Sequence, residues 1–95
     1  MRISVRFFTM LREITGKREE TLTFAKSATI HTALEQLVKE YGEDLKEYIY
    51  DPKTGEPKGF LQFLVNGAGV TTPNLLETKL SDGDVLAIIP PVGGG

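Results

Sequence analysis

Apolar and polar residues alternate along several short stretches of the chain, which is the pattern of a strand with one buried face. This pattern predicts strands over residues 2–8, 21–25 and 60–66, with the first two antiparallel. Asn66-Gly67 then predicts a tight hairpin turn, because such turns need positive φ angles, followed by a short strand. A last strand is predicted over residues 85–89, after the turn-forming residues 81–84.

One main helix is predicted over residues 30–41. Its apolar residues recur with the spacing of an amphipathic helix. They are Ile30, Ala33, Leu34, Leu37, Val38 and Tyr41. Thr29 is placed to accept a hydrogen bond from the first free backbone N–H groups, and Gly42 to end the helix in a left-handed conformation. Residues 9–20 are expected to hold a short turn or helix, residues 43–50 a further apolar turn, and residues 51–59 an exposed loop.

The order of these elements is strand, strand, helix, strand, short strand, strand. It places one helix against one face of a mixed sheet and predicts an α+β fold of the β-grasp type, with four to five strands. The 95 residues suffice for one modest hydrophobic core. We therefore expect a single domain over residues 1–89 and a flexible C-terminal tail over residues 90–95.

The composition argues against several classes of function. A net charge of −2 offers no surface for neutralising phosphates, so nucleic acid is not an expected partner. The chain has no cysteine, hence no disulfide or thiolate, and a cytoplasmic location is expected. Residues 1–16 do not resemble a signal peptide, and the longest nearly apolar stretch, residues 60–65, is far shorter than the roughly 20 residues that span a bilayer. No membrane association is predicted.

Few side chains suggest chemistry of their own. His31 is the single histidine and is predicted to face solvent on the helix, without a second metal ligand nearby. Asp82 and Asp84 flank Gly83 but lack the other ligands of a calcium loop, so they are predicted to form a turn. The sequence therefore predicts no metal site, no bound cofactor and no catalytic constellation within the chain.

The C-terminal tail is the most informative segment, and it comprises Pro90, Pro91, Val92, Gly93, Gly94 and Gly95. Each proline fixes φ and favours extended backbone before it, so the tail should project from the domain. Glycine has no Cβ, so three glycines can thread a narrow channel and bring a terminal carboxylate against a reactive phosphate. The Gly95 carboxylate is therefore the candidate working group. The alternative is a disordered terminus without a role.

Several short motifs resemble those of one known family. They are Val5-Arg6-Phe7-Phe8 with Leu11-Arg12-Glu13-Ile14-Thr15-Gly16, Val65-Asn66-Gly67, Leu80-Ser81-Asp82-Gly83-Asp84, and Ile89-Pro90-Pro91-Val92 with Gly94-Gly95. Their order and spacing over nearly the whole chain resemble the molybdopterin synthase small subunit, including the small archaeal ubiquitin-like modifiers. Gly93 departs from the pattern, since family tails usually have Ser, Thr or a similar small residue at this position. The loop over residues 51–59 is longer than in compact bacterial members, which favours the archaeal branch.

This resemblance implies a ubiquitin-like β-grasp fold whose Gly95 is adenylated by a ubiquitin-activating-type enzyme that uses ATP. The adenylate then becomes a thiocarboxylate that supplies sulfur for molybdopterin (molybdenum or tungsten cofactor) assembly with the synthase large subunit. Alternatively, the activated glycine forms an isopeptide bond with lysines of target proteins. In both cases residues 90–94 enter a partner's active site, and the chain is a non-catalytic carrier subunit. A third hypothesis is a plain interaction module, and the shorter thiamine sulfur carrier, which lacks the Pro-Pro-Val segment, ranks lower.

A docking surface is predicted from the alternation of side chains between the two faces of the sheet. If Phe7 is in the core, then Phe8 lies on the opposite face of the sheet, and the same reasoning places Leu64 and Ile89 there. Ubiquitin-like proteins that resemble this chain use such an apolar patch to dock the activating enzyme and the large subunit. The alternative is that these side chains are covered by loops or are scattered singly on the surface.

Overall fold

The structure is a computed structural model that describes residues 1–71 and 73–91. Its strands are β1 (Arg2–Phe7), β2 (Glu19–Thr23), β3 (Ala28–Thr29), β4 (Gln62–Val65), β5 (Ala68–Gly69), β6 (Lys79–Leu80) and β7 (Val85–Ile89). Its helices are α1 (Met10–Thr15), α2 (Ile30–Tyr41) and α3 (Glu43–Ile49), with a 3-10 turn at Leu75–Glu77.

Five strands form one mixed sheet in the order β2-β1-β7-β4-β5 within the described residues. β1 and β7 run parallel, whereas β2 with β1, β7 with β4, and β4 with β5 are antiparallel. β3 and β6 pair separately as a two-stranded ladder. This mixed sheet with one main helix confirms the predicted α+β fold of the β-grasp type.

The core lies between the sheet and the helices. The buried residues of the large sheet that face the helices are Ile3, Val5, Phe7, Leu22, Phe63, Leu86 and Ile88, and the buried apolar helix residues are Leu11, Ile30, Ala33, Leu34, Leu37, Leu45 and Ile49. Ala28 of β3, Leu80 of β6, Ala87 of β7 and the polar Thr15 of α1 are buried as well. Alternation along the strands and the helical spacing along α2 therefore predicted the buried faces correctly. In the described part of the chain, no helix combines the length and apolar character needed to cross a membrane.

The helix α2 has the predicted bounds and a reciprocal N-terminal cap. The Thr29 hydroxyl accepts from the Thr32 backbone N–H at 3.2 Å, and the Thr32 hydroxyl accepts from the Thr29 N–H at 2.8 Å. Two otherwise unpaired donors are thereby satisfied. The prediction for Gly42 was wrong in its conformation: its φ of 82° is positive, but its ψ of −156° is extended. That geometry redirects the chain straight into α3, which the sequence predicted only as an apolar turn.

The bounds of β1 and β2 differ from the predicted bounds, which were residues 2–8 and 21–25. β1 ends at Phe7 because Thr9, at φ 47°, turns the chain into α1. β2 begins two residues earlier than predicted, since its antiparallel pairing with β1 runs from Arg2↔Thr23 to Arg6↔Glu19. Backbone pairing, rather than apolar alternation, sets these ends.

The segment before β4 also differs from the prediction. β4 begins at Gln62, while Phe60 lies in a turn and is 50% exposed beneath the Lys58 ammonium. Residues 52–56 are exposed as predicted, but Tyr50 and Pro57 close the loop with an isolated antiparallel bridge. The predicted turn at Asn66-Gly67 is confirmed, because both residues have positive φ, 53° and 84°.

A charged cluster fastens the end of α2 to β2. Lys17 Nζ lies 3.2 Å from Glu20 Oε1 and 3.7 Å from Glu40 Oε2, and the Tyr41 hydroxyl donates to Glu20 Oε1. Desolvation opposes ionisation of Glu20, but hydrogen bonds with Glu40, Tyr41 and Lys17 outweigh it and hold its pKa below the usual value. The hydrogen bond to Glu20 raises the pKa of Glu40, and burial, aided by Glu20, raises that of Tyr41 to about 12.

We expect Glu40→Gln to stabilise the protein at neutral pH. Folding raises the pKa of Glu40, so the protonated side chain stabilises the folded state. This stabilisation is fully present below the pKa that Glu40 has in the unfolded chain, and it is lost as the pH rises through its pKa in the folded chain. Glutamine keeps a neutral partner for Glu20 at every pH. The gain in the free energy of unfolding at pH 7, about 0.5 kcal/mol for a solvent-screened pair, should shrink towards pH 3. Urea unfolding at both pH values measures it.

Glu47→Gln is the control for this prediction, because it removes the same charge from an exposed position on α3. It should leave the free energy of unfolding nearly unchanged at both pH values. An equal gain at pH 3 and pH 7 for Glu40→Gln would contradict the proposed carboxyl pairing.

Candidate functional site

The C-terminal tail leaves the domain from β7, the middle strand of the sheet. β7 pairs with β1 over residues 85–88 and with β4 over residues 86–89, and the last paired residue is Ile89, opposite Gln62. Pro90 is buried and Pro91 is exposed, so the chain emerges between the two prolines. A proline has no N–H to extend a ladder, which explains why pairing stops there. Val92, Gly93, Gly94 and Gly95, with the predicted carboxylate, lie outside the described residues.

The start of β7 is fixed by a hydrogen-bonded turn. Asp84 Oδ2 accepts from the Ser81 N–H and its Oδ1 accepts from Asn66 Nδ2, both at 2.8 Å. Asn66 Oδ1 in turn accepts from the Val85 N–H at 2.9 Å. Asp82 Oδ1 accepts from the Arg2 N–H at 2.7 Å. Both aspartates therefore form the turn, as predicted, and they position the strand that carries the tail.

Apolar side chains lie on the outer face of the sheet, opposite the helices. Leu64 pairs with Ala87, and Ile89 lies two residues further along β7 on the same face. Both Leu64 and Ile89 are half-buried. This places them beside the exit of the tail, while their role in docking stays a prediction.

Phe8 was predicted as an apolar residue of the outer face, but two arginine side chains contact its ring. The Arg6 and Arg12 guanidinium carbons lie 5.8 Å and 5.5 Å from the centroid of its ring, and the side chain is half-buried. Arg6 precedes Phe8 by two residues, so the contact agrees with an outward-facing Phe8. The sequence motif contained both arginines, but neither was singled out as a functional residue.

Two other apolar side chains are more exposed than the predicted patch. Met10 is 46% exposed and Phe60 is 50% exposed. The hydrophobic pattern predicts Met10 in a short turn or helix and Phe60 in a strand, so neither residue is part of the predicted patch. Single exposed apolar residues are common on protein surfaces, so the exposure of these two side chains does not by itself indicate a function.

No catalytic centre is found among the described residues. His31 is exposed as predicted, and its Nε2 lies 3.3 Å from Glu35 Oε1 one helical turn away. Within residues 1–71 and 73–91, no group of three or more His, Cys, Asp or Glu side chains could hold a metal ion. What these residues offer is a rigid domain that presents one face and one tail.

Comparison with known proteins agrees with this arrangement. The model of the ThiS family matches residues 5–95. The chain is 34% identical over 95 residues to small archaeal modifier protein 3 of Haloferax volcanii, and the match covers both chains completely. It is 30% identical over 96 residues to the sulfur carrier protein CysO of Mycobacterium tuberculosis, again over the full length of both. The family recognised from the sequence motifs is thereby confirmed.

Solved structures give the same result for the fold. The crystal structure of SAMP1 from Haloferax volcanii superposes with a TM-score of 0.81 at 28% identity and covers 100% of both chains. The putative molybdopterin converting factor, subunit 1, from Pyrococcus furiosus gives a TM-score of 0.73 at 27% identity, over 96% of this chain and 98% of that one.

Replacing Leu64 with Asp tests the docking patch. If the patch docks an adenylating enzyme as the sequence predicts, a carboxylate in that apolar contact would be desolvated without a partner, and activation of the chain should fall at least about tenfold. The measurement is the rate of pyrophosphate release at limiting carrier concentration. Leu64 is half-buried on the outer face, so thermal unfolding is measured in parallel to establish that the variant is folded.

Thr21→Asp is the matched control for Leu64→Asp. Thr21 is exposed on β2, two strands from β7 on the same face, opposite Ser4 of β1. It introduces the same charge far from the tail. A rate for Leu64→Asp equal to that of Thr21→Asp would contradict the docking role.

Proposed function

We propose, from the premise that this chain belongs to the ThiS family of sulfur carriers and ubiquitin-like modifiers, that it carries sulfur on Gly95. In this proposal an adenylating enzyme of the ubiquitin-activating type converts the Gly95 carboxylate to a thiocarboxylate. The sulfur is then used in molybdopterin assembly, in complex with a synthase large subunit. The chain supplies the acyl group and the docking surface, and its partners supply the catalytic residues.

One observation carries the proposal: the tail leaves from the middle strand of the sheet, between buried Pro90 and exposed Pro91. A strand paired on both sides cannot swing, so the tail begins at a fixed point and in a fixed direction. The outer-face residues Leu64 and Ile89 lie beside that point. A partner that docks on this face can therefore receive the tail at a defined distance. Such positioning supports delivery of a terminal group better than it supports a plain interaction module.

The chemistry needs activation because a carboxylate is a poor acyl donor. A Gly95 oxygen attacks the α-phosphorus of ATP and pyrophosphate leaves, which gives an acyl adenylate. A hydrosulfide-class donor then attacks the carbonyl carbon, the C–O bond to AMP breaks, and a thiocarboxylate remains. ATP is a substrate of the partner enzyme, and in this proposal the chain itself binds no cofactor. No step requires a cysteine of this chain, so the chemistry is compatible with the proposed cytoplasmic location.

The proposed sulfur acceptor is the pterin precursor of molybdopterin. Two observations support it: the motifs resemble those of the synthase small subunit, and the fold matches a putative molybdopterin converting factor subunit over nearly the whole chain. After sulfur transfer, water restores the Gly95 carboxylate, so the carrier is available for another cycle.

The intact mass of the protein tests the carrier chemistry. After incubation with ATP, the host's adenylating enzyme and sulfide, we expect a gain equal to the mass of one sulfur minus one oxygen. The starting mass also establishes whether the natural chain ends at Gly95. A chain lacking Gly95 and a chain with one alanine added after it are the controls, and neither should gain mass.

If the wild-type mass stays unchanged while the enzyme releases pyrophosphate, the sulfur-carrier proposal is wrong. Transfer to the pterin is measured separately, by supplying the thiocarboxylate form with the large subunit and the precursor. Conversion to a dithiolene product, with return of the carrier to its starting mass, is the expected result.

A second candidate function is covalent attachment to lysines. It is favoured by the full-length similarity to small archaeal modifier protein 3. The first step is the same adenylation, and a lysine amine then attacks the Gly95 carbonyl carbon, so that the C–O bond to AMP breaks, AMP leaves with the electron pair, the amine loses a proton and an isopeptide bond forms.

Modification of lysines can be detected by mass spectrometry of host proteins. No Lys or Arg follows Lys79, so trypsin would leave residues 80–95 on each modified lysine. Val92→Arg shortens this remnant to the three terminal glycines, which is readily identified. Expressed in the host, this variant should yield lysines bearing three glycines, whereas the same variant without Gly95 should yield none.

An affinity tag for this experiment belongs in the exposed segment 52–56 rather than at the N-terminus. The Met1 amino group donates to the Phe24 carbonyl at 3.0 Å, so an N-terminal extension would disturb the edge of the sheet. Because Val92 belongs to the segment predicted to enter the partner's active site, the variant must first be shown to release pyrophosphate with the adenylating enzyme at the wild-type rate. Absence of glycine-modified lysines from such an active variant, present at normal abundance, would exclude the modifier function under the conditions tested.

A further inference from the structure

We infer that Arg6 and Arg12, held against the ring of Phe8, form a paired cationic site that binds carboxylates on the adenylating enzyme. The three residues are called the Arg-Phe-Arg cluster. The inference rests on the proposed function, because it assigns a chemistry to the partner that activates Gly95. The predicted docking surface consisted only of apolar residues, and this inference adds two positive charges that a partner must match.

The geometry holds both guanidinium groups at one ring. Their central carbons are 5.8 Å and 5.5 Å from the Phe8 centroid, within the range of cation–π attraction. Arg12 is fixed further, because its Nε donates to the Phe7 carbonyl at 3.0 Å. The turn that carries it is closed by Leu11 N–H to Phe8 O at 3.0 Å. Arg12 is therefore positioned before any partner arrives.

Both cations lack a carboxylate partner in the described part of the chain. The ion pairs there involve Lys17 and His31, and neither arginine takes part in one. Glu19 is the cross-strand neighbour of Arg6 in the register of β1 and β2, yet it does not come within ion-pair distance. The Nη hydrogens of Arg12 likewise have no acceptor among the described residues. A guanidinium offers five donors, so most of this capacity is available to a partner.

The location connects the Arg-Phe-Arg cluster to the tail. Arg6 pairs with Ala87 of β7, and Ala87 pairs with Leu64 of β4. One row across the sheet therefore runs from a cation to the apolar side chains that flank the tail exit. A surface that covers this row would bury apolar groups at one end and meet two positive charges at the other.

Carboxylates are the chemistry that fits this site. Two like charges near one ring repel each other, and an opposing carboxylate relieves that repulsion. A carboxylate can also form two parallel hydrogen bonds with a guanidinium, which lysine cannot reproduce. Arginine is enriched among the residues that dominate binding at protein interfaces. The partner surface is therefore expected to place Asp or Glu side chains opposite Arg6 and Arg12.

Charge reversal tests the inference. Equilibrium binding to the host's adenylating enzyme is measured without ATP, for the wild-type chain, Arg6→Glu, Arg12→Glu and the double variant. We expect each single variant to weaken binding about tenfold and the double variant more, with the wild-type affinity falling as salt is added and the double variant losing most of that dependence.

Arg2→Glu is the matched control. Arg2 lies on the same face of β1 and is exposed, but it is four residues from Arg6 and away from the tail exit. Its charge reversal should change the affinity much less. Arg12→Lys separates charge from structure, because it keeps the charge and loses the Nε hydrogen bond to Phe7. Lysine should recover only part of the affinity lost in Arg12→Glu, because it restores the charge but not the paired hydrogen bonds, and thermal unfolding shows whether each variant is folded.

The result that overturns the inference is wild-type affinity in the folded double variant, or an equal loss in Arg2→Glu. Absence of binding by the wild-type chain overturns it as well. Failure of the sulfur-carrier proposal is distinguishable, because binding is measured without sulfur and the thiocarboxylate is detected separately by mass.

Discussion

The rest of the structure depends on the parallel pairing of the first and last strands. β7 lies between β1 and β4, and its Leu86 and Ile88 have no exposed surface. The register, in which Val5 is opposite Leu86 and Phe7 opposite Ile88, brings both ends of the sequence into one ladder. The inner-face residues of β1 and β7 belong to the same hydrophobic core as the buried residues of α2, so this long-range pairing is part of the core itself. The same register sets where the tail leaves the domain.

This constraint divides the sheet into two faces with different uses. The inner face is used for stability, and α2 covers it with Ile30, Leu34 and Leu37. The outer face has no helix in the described residues, so its side chains are available for recognition. Because side chains alternate along each strand, the burial of Ile88 fixes Ala87 and Ile89 on the outer face. The tail exit and the candidate docking surface are therefore consequences of the same packing that stabilises the domain.

The sequence predicted best the elements that carry strong local signals. The helix α2 was predicted with its bounds and its Thr29 cap, and β7 with both ends, because apolar periodicity and turn residues mark them. The strands β3 and β6 were missed because each has two residues and forms only through pairing with the other. The helix α3 was underestimated because it offers only Leu45 and Ile49 as buried residues. Its length depends on packing against neighbours, which a single sequence does not encode locally.

Parts of the candidate site escaped prediction for a related reason. Parity assigned Phe8 to the outer face, but it could not show that Arg12, which follows a turn, folds back onto the same ring. That contact depends on the φ of 47° at Thr9 and on the hydrogen bond from Arg12 to the Phe7 carbonyl. The cluster of Lys17, Glu20, Glu40 and Tyr41 likewise joins residues far apart in sequence. Local patterns predict which face a residue occupies, whereas tertiary contacts decide what accompanies it there.

The two proposed fates of Gly95 make the same demand on this domain. Adenylation precedes both, and it requires only that a partner dock on the outer face and receive the tail. The fates separate afterwards, when either a sulfur nucleophile or a lysine amine attacks the activated carbonyl carbon. Both nucleophiles come from other molecules, so the folded residues described here do not choose between them. Under either proposal, selection between carrier and modifier would lie in the partners that reach the activated tail, while the docking surface of the domain would select the enzyme that activates it.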